Sequence, residues 1–81
     1  MMQNPEVLYM VIPCYNEEAV LPETAKRLKE KYQTLQSESR ISPKSRIVFV
    51  NDGSKDATWN IIQQLHQQDP DFFSGINLAH N

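Results

Sequence analysis

From Val7 to Ile12 six consecutive residues, Val-Leu-Tyr-Met-Val-Ile, are apolar, with Pro5 before them and Pro13 after. A run this short, with β-branched and aromatic types and no polar alternation, predicts a strand buried on both faces. After a polar turn at Tyr15-Asn16-Glu17-Glu18 the period changes. Between Val20 and Leu35 the apolar residues fall at Leu21, Ala25, Leu28, Tyr32 and Leu35, with Lys26, Arg27, Lys29, Glu30 and Lys31 on the other side. That spacing predicts an amphipathic helix. Pro22 suits its first turn, Asn16 is the candidate cap, and Glu17, Glu18 and Glu23 suit its positive end.

Gln36 to Ser45 is polar, with Pro43 and several serines, and predicts an exposed loop. Arg46-Ile47-Val48-Phe49-Val50 repeats the buried-strand pattern and runs into Asn51-Asp52-Gly53-Ser54, a turn by composition. A second helix is expected from Asp56 to Gln68, with Ile61, Ile62 and Leu65 on one side, Trp59 and His66 flanking, and Asp69-Pro70 as its stop. Phe73 to Leu78 is a third strand. Strand, helix, strand, helix, strand with crossovers of this length implies parallel strands and right-handed connections. The expected fold is α/β, a βαβαβ half of a doubly wound, mostly parallel, Rossmann-like sheet.

Composition narrows the function. Net charge is −2 and the pI about 5.5, so no basic stripe supports nucleic-acid binding. The single cysteine, Cys14, forms no internal disulfide, and no zinc-type spacing occurs. The first ten residues lack a basic n-region and do not read as a signal peptide. No apolar run approaches the roughly 18 residues of a membrane span. The chain is expected to be soluble and to form at most one small domain.

In an open α/β sheet, ligands bind beyond the carboxyl ends of the strands. Two polar clusters occupy those positions, Pro13 to Glu18 and Asn51 to Asp56. The chain has two glycines, neither in the first cluster, which argues against a dinucleotide fingerprint or a P-loop. Carboxylates at strand ends suit a nucleoside instead. An Asp accepts the N3–H of uracil, a Glu accepts ribose hydroxyls, and a Tyr offers a stacking face.

The segments Val11-Ile12-Pro13-Cys14-Tyr15-Asn16-Glu17-Glu18 and Val48-Phe49-Val50-Asn51-Asp52-Gly53-Ser54-Lys55-Asp56-Ala57-Thr58 resemble family-2 glycosyltransferases of the GT-A fold. With Val20-Leu21-Pro22-Glu23-Thr24, the likeness points to the branch that glycosylates polyprenyl phosphates, dolichyl or undecaprenyl, with the bacterial type closer. The resemblance implies that Pro13 and Tyr15 line a base pocket, that Glu17 binds the ribose and that Asp52 binds the base edge. It implies that Gly53 lets the backbone turn close to the nucleotide, while Asn16, Ser54 and Asp56 shape the loops and Asn81 opens a further loop near the ligand. It also implies a UDP-sugar donor, with GDP-mannose as the alternative, and Mg²⁺ or Mn²⁺ on the diphosphate. The intact enzyme would work on the cytoplasmic side of a membrane.

The family's metal-binding Asp-X-Asp and acceptor-side acid are expected beyond Asn81, because Asp69-Pro70-Asp71 follows a helix rather than a strand and reads as a polar turn. The chain alone is therefore expected to be inactive, a truncated front end. Blander roles compete for several residues. Asp52 could be only a turn former and Tyr15 a packing residue, and Glu18 and Asp56 are better read as dipole compensation and a helix cap. Cys14 reads as a buried filler, and Trp59 as core or helix-to-sheet packing. His66 reads as a surface or boundary residue, and His80 carries no motif weight. A non-catalytic nucleotide-binding or interaction module is the alternative function. The strand order should be three-two-one, leaving strand 7–12 as a bare edge through which the chain is expected to self-associate.

Overall fold

Strands and helices alternate along the chain as β1 (Tyr9–Cys14), α1 (Leu21–Ser37), β2 (Arg46–Asp52), α2 (Thr58–Gln68) and β3 (Phe73–Leu78). The computed structural model describes residues 5–78. The strands form one parallel sheet in the order β1-β2-β3, which is the expected three-two-one counted from the other edge. The α/β class and the βαβαβ arrangement therefore hold.

β1 lies two residues later than the apolar run suggested. Arg46 N–H donates to the Leu8 carbonyl at 3.0 Å, and Leu8 N–H donates to Ser45 Oγ at 2.9 Å. Pairing then runs from Tyr9 opposite Arg46 to Cys14 opposite Asn51 and includes Pro13. In a parallel ladder alternate residues bond to the same neighbour, so Leu8's bond to β2 sets Pro13's backbone toward the free edge, where a missing N–H costs nothing. β2 likewise continues through Asn51 and Asp52, which pair with Asn77 and Leu78, rather than turning at Asn51.

The expectation that the strands are buried on both faces is corrected. Along β2, burial alternates, with Ile47, Phe49 and Asn51 buried and Val48 and Val50 half-buried. Each crossover steps the chain the same way across the sheet, so both helices lie on one face. Leu21, Ala25 and Tyr32 of α1 and Ile62 of α2 join Cys14, Ile47, Phe49 and Phe73 in a single core on that side. The other face carries Tyr9 and Val11, each 61% exposed, with Ile76 at 49% and Leu78 at 43%. Apolar composition on both sides of these strands is present, but only one side is covered.

The polar stretch from Gln36 to Ser45 is likewise not a simple exposed loop. α1 takes its first two residues, and Ile41, Ser42 and Ser45 are buried. Ser42 N–H donates to the Glu6 carbonyl at 2.8 Å, and the Ser45 hydroxyl serves Leu8, so these serines satisfy backbone groups beneath the entry to β1. Tyr32 fills the space above. Its hydroxyl lies 3.4 Å from the Leu8 carbonyl and 3.3 Å from that of Arg46, and burial pushes its pKa up.

α2 approaches β3 closely at Gly75. A Cβ there would overlap Ile62 Cγ2 and lie 3.2 Å from Trp59 Cζ3. Trp59 is thus helix-to-sheet packing, as its spacing suggested. Because Ile62 is fully buried and cannot swing away, Gly75→Ala is expected to destabilise the chain by about 1–3 kcal/mol in urea denaturation. In an Ile62→Ala background, itself destabilised by about 2–5 kcal/mol, the same Gly75→Ala change should cost less. Equal stability of wild type and Gly75→Ala would show that the contact yields. Among the described residues no helix is long and apolar enough to cross a membrane.

Candidate functional site

Cys14 and Asn51 pair at the carboxyl ends of β1 and β2, so the segments that follow them emerge side by side. Asn16 has φ 50°, a left-handed conformation that asparagine tolerates better than most residues. Its backbone N–H donates to Ser54 Oγ at 2.9 Å, and its side-chain Oδ1 accepts from Lys55 N–H at 2.8 Å. Asn16 does not cap α1. The N-cap position is Val20, which makes no side-chain cap bond, and Pro22 sits in the first turn. The cross-loop acceptor role replaces the expected local one.

Glu17 N–H donates to the Thr58 hydroxyl at 2.8 Å, and Glu18 N–H to Asp56 Oδ2 at 3.3 Å. Asp56 stands one residue before Ala57, the geometric N-cap of α2, and its Oδ1 accepts both the N–H and the hydroxyl of Thr58 at 3.0 and 2.5 Å. The Thr58 hydroxyl, followed by backbone amides including that of Glu18, holds the Asp56 carboxyl below its ordinary pKa. Asp56 therefore serves the start of α2 and the first loop together. Gly53, at φ 73°, makes the turn that leaves β2 toward α2 in a conformation that side chains resist.

Of the residues expected to meet the ligand, Pro13, Tyr15 and Asp52 are exposed and Glu17 is half-buried. Tyr15 is 55% exposed, which removes the competing role as a packing residue under the loop. Asp52 follows Val50 by two in β2, and Val50 pairs with Pro13. Asp52 and Pro13 thus share the uncovered face of the sheet at its carboxyl edge. Asn81, and His80 before it, lie outside the described residues.

Cys14 is 1% exposed, with Sγ 3.6 Å from the Ile12 carbonyl. Burial first, and then the Glu17 charge, push its pKa up to about 11, so the thiol is a protonated filler at neutral pH.

Three residues take positions that composition did not flag. Thr58 is buried under both loops. Asn51 is 3% exposed, donates from Nδ2 to Asn77 Oδ1 at 2.8 Å and accepts from Ser54 N–H at 3.3 Å. Asn77 completes this bridge to β3. The spacing Asp56-X-Thr58 at a helix start was the available signal for Thr58; nothing local marked Asn51 as buried.

A cavity of about 270 Å³ lined by Trp59, Ile62, Gln63, His66, Gln67 and Gly75 opens elsewhere, over α2 and β3. It touches none of the strand-end residues and gathers no carboxylate, so the strand-end loops remain the better site. His66 borders it, with Nδ1 2.7 Å from the Phe73 carbonyl. Among the described residues no group of three or more His, Cys, Asp or Glu side chains could hold a metal ion. The Mg²⁺ or Mn²⁺ implied by the resemblance therefore fits no set of ligands described in this chain.

The sequence from residue 9 to 81 matches the model of glycosyl transferase family 2. YkoT, an uncharacterized glycosyltransferase of Bacillus subtilis (strain 168), is 48% identical over 62 residues, 76% of this chain and 18% of its own length. The bactoprenol glucosyl transferase of Shigella phage SfV is 43% identical over 62 residues, 75% of this chain and 18% of its own. The undecaprenyl-phosphate 4-deoxy-4-formamido-L-arabinose transferase of Shewanella sediminis (strain HAW-EB3) is 35% identical over 79 residues, 98% of this chain and 22% of its own. The chain thus spans about a fifth of the length of these relatives. No solved structure matches it.

Proposed function

The chain belongs to glycosyl transferase family 2, and from that premise we propose that it forms the sugar-nucleotide-binding segment of an inverting hexosyltransferase acting on a polyprenyl phosphate. UDP-glucose is the favoured donor, with GDP-mannose the alternative. The observation that carries this reading is the stitching of two carboxylate-bearing loops at neighbouring strand ends, by bonds from Asn16, Glu17, Glu18 and Lys55. One nucleoside can then meet both Glu17 and Asp52. The names of the bactoprenol and undecaprenyl-phosphate relatives support the acceptor class.

In this reading Tyr15 stacks on the base, Pro13 lines its pocket, and the Asp52 carboxylate accepts the uracil N3–H. The Glu17 carboxylate accepts from the ribose hydroxyls, and Gly53 lets the second loop turn beside the nucleotide. In the intact enzyme, at the cytoplasmic side of the membrane, an oxygen of the acceptor phosphate attacks the anomeric carbon opposite the nucleoside diphosphate. The bond from that carbon to the diphosphate oxygen breaks with its electron pair leaving on UDP, and the configuration inverts. The attacking oxygen is already anionic at neutral pH, so no strong general base is required. A divalent ion would stabilise the leaving diphosphate. The chain alone binds the donor without turning it over. Calorimetric titration with UDP tests the binding: heat is expected, and its absence at millimolar UDP favours the non-catalytic interaction module.

The chain is also proposed to pair with a second copy through β1, at the edge of the described sheet beside its uncovered face. Sedimentation is expected to show concentration-dependent association that Val11→Lys reduces. A stable wild-type monomer at high concentration would contradict the pairing.

A further inference from the structure

Three consecutive amides of the first loop, those of Asn16, Glu17 and Glu18, end on side chains of the second loop and the start of α2. The middle one is distinctive. Thr58 is completely buried, and a hydroxyl has one proton to give. Since Glu17 N–H donates to Thr58 Oγ1 and Asp56 Oδ1 is a carboxylate acceptor 2.5 Å away, the Thr58 proton goes to Asp56. The relay therefore has one direction, from the Glu17 amide through Thr58 to Asp56. Asp56 uses its second oxygen to hold the Glu18 amide. Asp56 is ionised at neutral pH, as an ordinary aspartate is, and its charge keeps the relay polarised. Neither Thr58 nor Asp56 needs to reach a ligand for this to matter, because the backbone they fix is the one that carries the Glu17 side chain.

We propose that Thr58 and Asp56 are positioning residues that set the Glu17 carboxylate for the ribose, so that recognition of the sugar hydroxyls depends on a relay outside the ligand's contact surface. The proposal rests on the nucleoside reading of Glu17. Valine at position 58 preserves the shape of threonine but leaves the Glu17 amide without its acceptor, whereas serine keeps the hydroxyl. A purely structural role would lower stability without changing which part of the nucleotide is recognised. A positioning role changes discrimination at the ribose specifically.

The test compares UDP with 2′,3′-dideoxy-UDP on the full-length chain by calorimetry, together with hydrogen exchange at the Glu17 amide. The wild type is expected to prefer UDP by about tenfold. Thr58→Val should bring that preference close to one and speed exchange at Glu17 while the amides of β2 stay protected. Thr58→Ser should restore both. Asp56→Asn, which leaves Thr58 in place but puts an amide where one of the two carboxylate acceptors was, should lie between them and serves if Thr58→Val does not fold. An unchanged preference in folded Thr58→Val or Asp56→Asn overturns the proposal alone. Failure of the wild type to bind UDP overturns the nucleoside reading and the proposal with it.

Discussion

Asp52→Ala is expected to lower the affinity of the chain for UDP by about ten- to a hundredfold, the worth of one hydrogen bond to a charged group. Asp52 ends β2, is exposed, and shares the uncovered face with Pro13, so its removal should alter the denaturation midpoint far less than a core change. The base supplies a sharper measurement. Uracil presents a donor at N3 and cytosine an acceptor, so a carboxylate at position 52 favours UDP over CDP. Asp52→Asn exchanges one acceptor for a donor and should narrow that preference, while Asp52→Ala should abolish it. A comparison with GDP, whose base also offers donors to a carboxylate, reports which donor the site prefers. Undiminished UDP binding by Asp52→Ala would remove this residue from the site.

Phe49→Ala is expected to destabilise the chain by about 3–5 kcal/mol, a large share of the roughly 5–15 kcal/mol that holds a small domain folded. Phe49 is fully buried in the middle of the central strand, stacked on Phe73 with ring centroids 5.7 Å apart. It pairs in register with Ile12 on one side and Gly75 on the other. No large side chain at position 75 can move in to fill the void, because α2 already occupies that space through Ile62 and Trp59. Phe49→Leu, which keeps most of the volume, should cost less than about 1.5 kcal/mol. Val48→Ala, one residue away on the uncovered face, should cost less than Phe49→Ala in the same urea titration. If Val48→Ala proves as damaging as Phe49→Ala, the core does not sit on one face as described.

The relation between these two residues shows what could be read early. Phe49 and Asp52 belong to one strand, and both the apolar run and the polar cluster after it were visible as text. Their faces were not. Continuous Val, Ile and Phe reads the same whether one side of a strand is covered or two, and only the placement of both helices on the Phe49 side settles it. Thr58 was hidden for a related reason: a threonine at a helix start looks local, whereas its hydroxyl spans 41 positions to reach Glu17. Serine is usually exposed, so the sequence alone reads Ser42 and Ser45 as loop surface, whereas what buries them is unmet backbone hydrogen bonding at the entry to β1.

By itself the sequence determined the order and type of the five elements, the parallel sheet and the two strand-end clusters with their carboxylates. Periodicity and short-range turn chemistry are local properties, and they are written residue by residue. The tertiary structure decided which face of the sheet is closed, where β1 begins, why Asn16 serves the second loop instead of α1, and that Thr58 and Asp56 brace Glu17. Each of these depends on which distant group arrives to cover an apolar surface or satisfy a backbone amide. That partner is fixed only when the chain has folded back on itself.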